Sequence, residues 1–401
     1  MAGVNGPGDE PGGGAPPPLS EVAAAAGLAR VHILAWRDLD DPEAGGSELH
    51  SHRIASIWAR EGIQVTMRTS VAAGHPPFAQ RDGYQVVRKA GRYMVFPRTA
   101  LSGRLGRTGP RDAMVEVWNG MPFFSPLWAR CPRLVFLHHV HAEMWRMVLP
   151  PKLARIGELV EFRLAPPVYR RARVVTLSES SKAEIVEMLG LPADNITVVP
   201  PGVEARFSPG GSRSPVPLVV AVGRLVPVKR FDVLIEVLAQ VRRSHPGLQA
   251  VIVGEGYERP ALEARVRQLG AEEWLKLPGR LGDQELVDLY RRAWLLASAS
   301  AREGWGMTVT EAAACGTPAV VTRIAGHLDA VEDEMSGLLC TTPRQMVSQI
   351  DAVLRDDALR ARLAKGALER AQELTWEATA RGTLVALARE VEAWRARRGR
   401  P

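Results

Sequence analysis

Arg302-Glu-Gly-Trp-Gly-Met-Thr-Val-Thr-Glu-Ala-Ala-Ala-Cys-Gly-Thr-Pro318 lies just beyond the apolar run Trp294–Ser298. The run reads as a buried strand, and the residues after it as a loop and then a short helix starting near Thr308 and ended by Gly316 and Pro318. Glu303 then falls in the loop and Glu311 about one turn inside the helix. The backbone N–H groups of Gly306, Met307 and Thr308 stand free at a helix N-terminus, a natural seat for an anion. Glycine at 304 and 306 lets the backbone come close to a ligand. A glutamate near a helix start also complements the helix dipole without any ligand. The spacing therefore decides the local fold before it decides the chemistry.

The same alternation extends in both directions. Upstream, apolar runs at Val31–Trp36, Ile63–Arg68, Ala113–Trp118, Leu134–Leu137 and Val174–Leu177 are separated by helical stretches. One of these opens at Gly45-Gly46-Ser47-Glu48 and carries Ile54, Ile57 and Trp58 on one face. Another follows Ser181-Lys-Ala-Glu184, a capping-box pattern. A second cycle begins after the Ser/Pro/Gly segment 208–217, with strands at Leu218–Val222, Ala250–Val253, Trp274–Leu277 and Trp294–Ser298. Between them lie helices at Pro260–Leu269 and Asp283–Ala293. Repeated strand–helix units imply parallel sheets covered on both faces. The chain reads as two doubly wound α/β units: residues 29–207, then 208–375, with a last helix at 376–398 crossing back onto the first. Residues 1–28, rich in Gly and Pro, read as a disordered leader.

Bulk properties narrow the class. The 401 residues are 46% hydrophobic and 24% charged, enough for two cores. No apolar stretch reaches membrane-spanning length, and the N-terminus lacks the form of a secretory signal. Three widely spaced cysteines, Cys131, Cys315 and Cys340, point to a reducing compartment and a cytoplasmic enzyme. Of 51 basic residues 45 are arginine, a bias that carries no function by itself. The net charge of +7 favours anionic partners. No RNA-binding signature or zinc-finger spacing accompanies it, so no nucleic-acid partner is expected. Basic residues around Arg81–Arg111 and Arg170–Arg173 keep peripheral contact with the inner face of a membrane open.

The segment Glu303–Thr322 is similar to the E-x7-E signature of family-4 glycosyltransferases, which have the GT-B fold of two Rossmann-like domains facing a cleft. The resemblance covers most of residues 30–380. It implies that Glu303 holds donor-sugar hydroxyls, that Glu311 holds the nucleotide ribose, and that the N–H groups of Trp305, Gly306, Met307 and Thr308 face sugar and phosphate. Gly223-Arg-Leu-Val-Pro-Val-Lys229 resembles the family's G-R-L-x-x-x-K motif, which assigns Arg224 and Lys229 to the diphosphate. Val228 and Arg230 depart from the common pattern there. Gly45-Gly46-x-Glu48 looks like the family's G-G-x-E loop, with Gly46 on the phosphate. His138 matches the family's strand-end histidine near the reacting carbon, with His139 one residue away as the alternative. Arg280 and Leu281 lie where the base stacks.

Other patterns are weaker. His138, His139 and His141 lack an accompanying Cys or carboxylate cluster, so no metal is expected. Asp38-Leu-Asp40 is formally a metal-binding D-x-D, but its place before Gly45 reads as loop chemistry. Gly254-Glu-Gly256 is a strand-to-helix turn that says little alone.

The resemblance implies a retaining, metal-independent transferase without a cofactor. It would move a sugar from a UDP- or GDP-linked donor to the hydroxyl of a lipid-linked or small-molecule acceptor. An epimerase or phosphorylase on the same fold and a catalytically silent sugar-nucleotide-binding regulator are the rivals. No candidate pyridoxal-phosphate lysine speaks for the phosphorylase, and intact Arg224, Lys229, Glu303 and Glu311 speak against the regulator.

Overall fold

The computed structural model describes residues 16–399. Two sheets organise the chain. The first joins β1 Arg30–Leu34, β2 Gln64–Thr69, β3 Phe78–Arg81, β4 Tyr84–Arg88, β5 Ala113–Val117, β6 Arg133–Phe136, β7 Arg173–Thr176 and β8 Ile196–Val198. Their order is β3-β4-β2-β1-β5-β6-β7-β8, parallel except for the β3–β4 hairpin. That hairpin turns on Asp82-Gly83, both at positive φ as a two-residue turn of this twist requires.

The second sheet joins β9 Leu218–Val222, β10 Gln249–Val253, β11 Leu275–Gly279, β12 Leu295–Ser298, β13 Ala319–Thr322 and β14 Gly337–Cys340. All are parallel, in the order β11-β10-β9-β12-β13-β14. In both sheets the strand order reverses beside the first strand, which opens a crevice at the carboxyl ends.

Constant crossover handedness sorts the helices of the first unit. The step from β1 to β2 runs one way along the sheet, and every step from β4 onward runs the other. Helix Gly46–Arg60 therefore covers one face, and the helices between residues 95 and 189 cover the opposite one. The first face is completed from the far end of the chain. Helix Trp376–Ala396 buries Leu384, Leu387 and Val391 in the same cluster as Ile54, Ile57 and Trp58. The Trp58 indole N–H donates to the Ala380 carbonyl at 3.0 Å. Truncating such a fully buried leucine to alanine costs about 2–5 kcal/mol, so this helix belongs to the first unit energetically although it follows the second in sequence.

Two chain crossings join the units side by side. Val203 N–H donates to Leu374 O at 3.0 Å, and the Thr379 hydroxyl donates to Pro200 O at 2.8 Å. The linker at 208–217 is tied to the second unit, where the Arg213 guanidinium donates to the carbonyls of Ala293 and Gly316 and to Thr317 Oγ1.

Two sequence readings change. The leader expected through residue 28 stops earlier. Leu19–Ala25 is a helix whose Leu19 and Ala23 are buried against the C-terminal helix, because Leu-Ser-Glu-Val-Ala-Ala-Ala is helix-forming and no longer Gly/Pro-rich. Residues 1–15 of that leader lie outside the described residues. The capping box expected at Ser181 is also displaced. Helix Glu179–Leu189 is capped by Ser178, whose Oγ accepts from Ser181 N–H at 3.0 Å.

Candidate active site

The candidate residues of the second unit lie in the segments that follow its strands. β9 ends at Val222, and the chain turns through Gly223-Arg224 into a single 3-10 turn, Pro227–Lys229. This loop is pinned by the turn after β10. A Cβ on Gly254, at φ +146°, would stand 1.8 Å from Gly223 O, and one on Gly256 would stand 2.2 Å from Leu225 O. Only glycine fits at either place, so the weak Gly-x-Gly is what holds the Arg224 loop.

β12 ends at Ser298 and delivers Glu303. Lys229 Nζ donates to Glu303 Oε1 at 2.5 Å, and Ser300 Oγ donates to the same oxygen at 2.8 Å. Burial works to raise the Glu303 carboxyl. The Lys229 ammonium, His327 and the two hydrogen bonds outweigh it and hold the group below the ordinary carboxylate value. Glu303 is therefore an ionised acceptor.

Beyond Gly306, at φ +99°, the helix is Met307–Ala314. The Met307 and Thr308 N–H groups meet no acceptor among the described residues. Trp305 turns its ring into the core and contributes only backbone to the loop. Inside the helix, Glu311 Oε2 accepts from the Tyr290 hydroxyl at 3.0 Å. Partial burial lifts its carboxyl to about 7, against the opposing hydrogen bond from Tyr290. It has spare acceptor capacity at a half-buried position, which suits a neutral diol better than an anion. Arg280 is exposed, and Leu281 is half-buried against the same core.

The first unit faces these groups with its own helix N-terminus. Glu48 Oε2 accepts from Gly45 N–H at 2.8 Å and so shapes the Gly45-Gly46 turn. A Cβ on Gly46 would stand 3.0 Å from Met307 Sδ, and one on Gly45 would stand 3.7 Å from Arg224 Nε. Two helix N-termini thus confront each other across a narrow gap beside Arg224.

The histidines divide. His138 is buried, with Nε2 3.2 Å from His50 Nδ1. His139 lies against the glutamate loop, its Nδ1 3.4 Å from where a Gly304 Cβ would stand. Burial, and then the neighbouring histidine, push the His138 and His139 rings down to about 3, so both are neutral near pH 7. His50 and His327 went unnoticed in the sequence. His327 packs under Gly306 and its Nδ1 lies 2.9 Å from Thr322 O. Only the Gly326-His327 helix start after β13 hinted at it.

Asp38 and Asp40 are consumed by arginines. Arg88 Nε donates to Asp38 Oδ2 at 2.8 Å, and Arg81 and Arg88 both bond Asp40. Among the described residues no group of three or more His, Cys, Asp or Glu is placed to hold a metal.

Comparison with known proteins places this geometry. The family described as Glycosyltransferase Family 4 matches residues 44–207, and that described as Glycosyl transferases group 1 matches residues 204–370. The D-inositol 3-phosphate glycosyltransferase of Acidothermus cellulolyticus is 35% identical over 381 residues, 85% of each chain. The chain belongs to glycosyltransferase family 4. The counterpart in Saccharomonospora viridis is 32% identical, over 87% of this chain and 90% of its own. Among solved structures, sucrose-phosphate synthase from Thermosynechococcus elongatus superposes with a TM-score of 0.76 at 19% identity, over 88% of this chain and 97% of its own. Anabaena HepE in complex with UDP and glucose gives 0.69 at 19% identity, over the same shares. The glycosyltransferase therefore has the GT-B fold, and Gly45-Gly46, Arg224 and Met307 meet between its two units.

Proposed function

We propose that this glycosyltransferase moves a sugar from a nucleotide diphosphate to an acceptor hydroxyl, with retention at the anomeric carbon and without a metal. The observation that carries the reading is the convergence of Arg224, Lys229 and Glu303 opposite the Gly45-Gly46 helix start. Two cations and two helix N-termini supply positive potential from several directions where a leaving diphosphate gains charge. Glu303 accepts from sugar hydroxyls and Glu311 from the ribose diol. Neither is placed as a nucleophile: Glu303 is neutralised by Lys229, and Glu311 sits behind the helix start. The departing phosphate oxygen takes the acceptor's proton on the face it leaves, which preserves configuration.

Metal independence is supported by the commitment of Asp38 and Asp40 to Arg81 and Arg88. A cytoplasmic setting is supported by three free, buried thiols. The domains are taken as 29–207 and 208–375, the first extended by helix Leu19–Ala25 and by the returning helix at 376–398.

The test is a donor panel of UDP- and GDP-sugars with inositol 3-phosphate, named in the relatives, as the first acceptor. The product's anomeric configuration is read by NMR, with and without chelator. Inverted product, or activity lost to chelator and restored by metal, overturns the mechanism.

A further inference from the structure

Ser178-Glu-Ser-Ser181 follows β7 in the first unit and opens helix Glu179–Leu189. A helix start leaves N–H groups without partners inside the helix. Ser178 and Ser181 are also fully buried, and hydroxyls withdrawn from water need partners.

Those partners come from the second unit. Ser178 Oγ accepts from Ser181 N–H as the helix cap, which leaves its own proton free; it donates that proton to Gly304 O at 3.3 Å. Ser181 Oγ donates to the same carbonyl at 3.2 Å. A carbonyl oxygen has two lone pairs, and both are met from across the boundary. Asp329 takes the free N–H groups of the helix, accepting from Glu179 at 2.9 Å and from Ser180 at 3.3 Å. The Ser180 hydroxyl donates to the same carboxylate and accepts from Gly326 N–H at 2.8 Å.

Gly304 follows Glu303 directly, so its carbonyl belongs to the loop that presents the carboxylate. That loop is held on both sides by contacts too close for a side chain. A Cβ on Gly304 would stand 2.8 Å from His138 O of the first unit, and one on Gly326 would stand 2.7 Å from Glu303 O. The space that Gly304 leaves free is filled by the backbone of the opposite unit. Lys229 and Ser300 fix the Glu303 carboxylate from within the second unit. The peptide beside it is fixed from outside.

We infer that Ser178 and Ser181 of the first unit are positioning residues for the glutamate loop, setting the Gly304 peptide and with it the direction of Glu303. The inference rests on the reading of Glu303 as the ligand of donor-sugar hydroxyls. Glu311 needs no such help, because its partner Tyr290 lies in its own unit. Seating of the first unit thus sets the grip on the sugar and leaves the grip on the ribose unchanged.

The test uses three variants of the full chain. Ser181→Ala deletes one donor and favours the helix. Ser178→Asp keeps an oxygen for the cap but has no proton for Gly304 O. Gly304→Ala acts from the other side, its methyl meeting the His138 carbonyl at a φ outside the left-handed region. In the ligand-free protein, amide exchange over residues 299–306, followed by mass spectrometry, should quicken about fivefold or more in each variant, the worth of one hydrogen bond. With the sugar nucleotide that the donor panel finds active, kcat should fall by the same factor or more. The Kd of the corresponding nucleoside diphosphate should not move. Unchanged exchange overturns the inference, as does an unchanged kcat or a kcat lost together with nucleotide affinity. If the wild-type chain transfers no sugar from any donor of the panel, the reading of Glu303 falls, and the exchange result alone decides whether the serines hold the loop.

Discussion

Lys229 Nζ and Glu303 Oε1 lie 2.5 Å apart although seventy-four residues separate them, one beyond β9 and the other beyond β12. Neighbouring strands of the second sheet bring an ammonium and a carboxylate to one point. The Lys229 ammonium helps hold the Glu303 carboxyl ionised before any donor arrives.

Lys229→Ala should lower the transfer rate about 10²–10³-fold while leaving the fold intact, the usual cost of one transition-state charge donor. It should also free the Glu303 carboxyl to rise, since burial then acts with less opposition. The acidic limb of kcat/KM against pH should move upward. A near-normal rate would remove Lys229 from the diphosphate.

Glu311 makes a pH-dependent contribution of its own. Its folded value of about 7 lies above its unfolded value of 4.5, so the folded chain holds a proton the unfolded chain has released. That stabilisation is complete below about 4.5 and is lost as pH rises to about 7, on the order of 3 kcal/mol. Glu311→Gln should flatten this loss and stabilise the ligand-free protein at pH 8. It should also raise the donor KM about tenfold or more. Urea unfolding at pH 5 and pH 8, beside donor kinetics, separates the two effects. An unchanged KM would take Glu311 off the ribose.

The histidines act in the opposite sense. His32, His52 and His141 are pushed down to about 4 and His138 and His139 to about 3, with burial the first cause in each case. His50 is also driven well below its ordinary value by burial and His138. Folded-state depression means that stability is present above the unfolded value of 6.5 and is lost as pH falls toward 4 and 3. Each histidine contributes about 1.4 kcal/mol per pH unit in that window. Several together exceed the opposing gain from Glu311, so the unfolding free energy should drop steeply between pH 6.5 and 5. Proton uptake on unfolding, measured calorimetrically at pH 5.5, should exceed two; a value near zero contradicts the burial of these rings.

Arg302 closes the cleft from its rim. Its guanidinium donates to both carboxylate oxygens of Glu143 at 3.2 Å and to Glu184 Oε2 at 2.6 Å, all across the domain boundary. Its side chain is only 10% exposed, and its removal takes three hydrogen bonds from the domain boundary and leaves Glu184 without its cation. Arg302→Ala should shift the ligand-free population toward an open form, seen as a larger radius of gyration in solution scattering. An unchanged radius would show that other contacts, such as Asp329 Oδ1 accepting from Glu179 N–H at 2.9 Å, suffice alone.

Nine strands were legible because each is an apolar run bounded by turn residues, and their alternation with helices led directly to two parallel sheets. Hairpin β3–β4 escaped because Phe78–Arg81 is short and half-exposed, although Asp82-Gly83 signalled the turn. β8, β13 and β14 escaped too, although β6, β7 and β12, only four residues each, were legible. Glu303, Glu311, Arg224 and Lys229 stood out because each follows a recognisable strand at a characteristic spacing.

By itself, the sequence determined the local frame: strand, loop and helix at Arg302–Pro318, the glycine turns, and which polar residues sit at strand ends. Those features depend on hydrophobic period and turn chemistry, which act over a few residues. Tertiary structure alone decided the pairings: Lys229 with Glu303, Tyr290 with Glu311, His50 with His138, and Arg302 with Glu143 and Glu184. It also decided that Ser178 and Ser181 meet Gly304 across the domain boundary. Such contacts arise between segments tens to more than a hundred residues apart, and their energies exist only once packing has excluded water from between them.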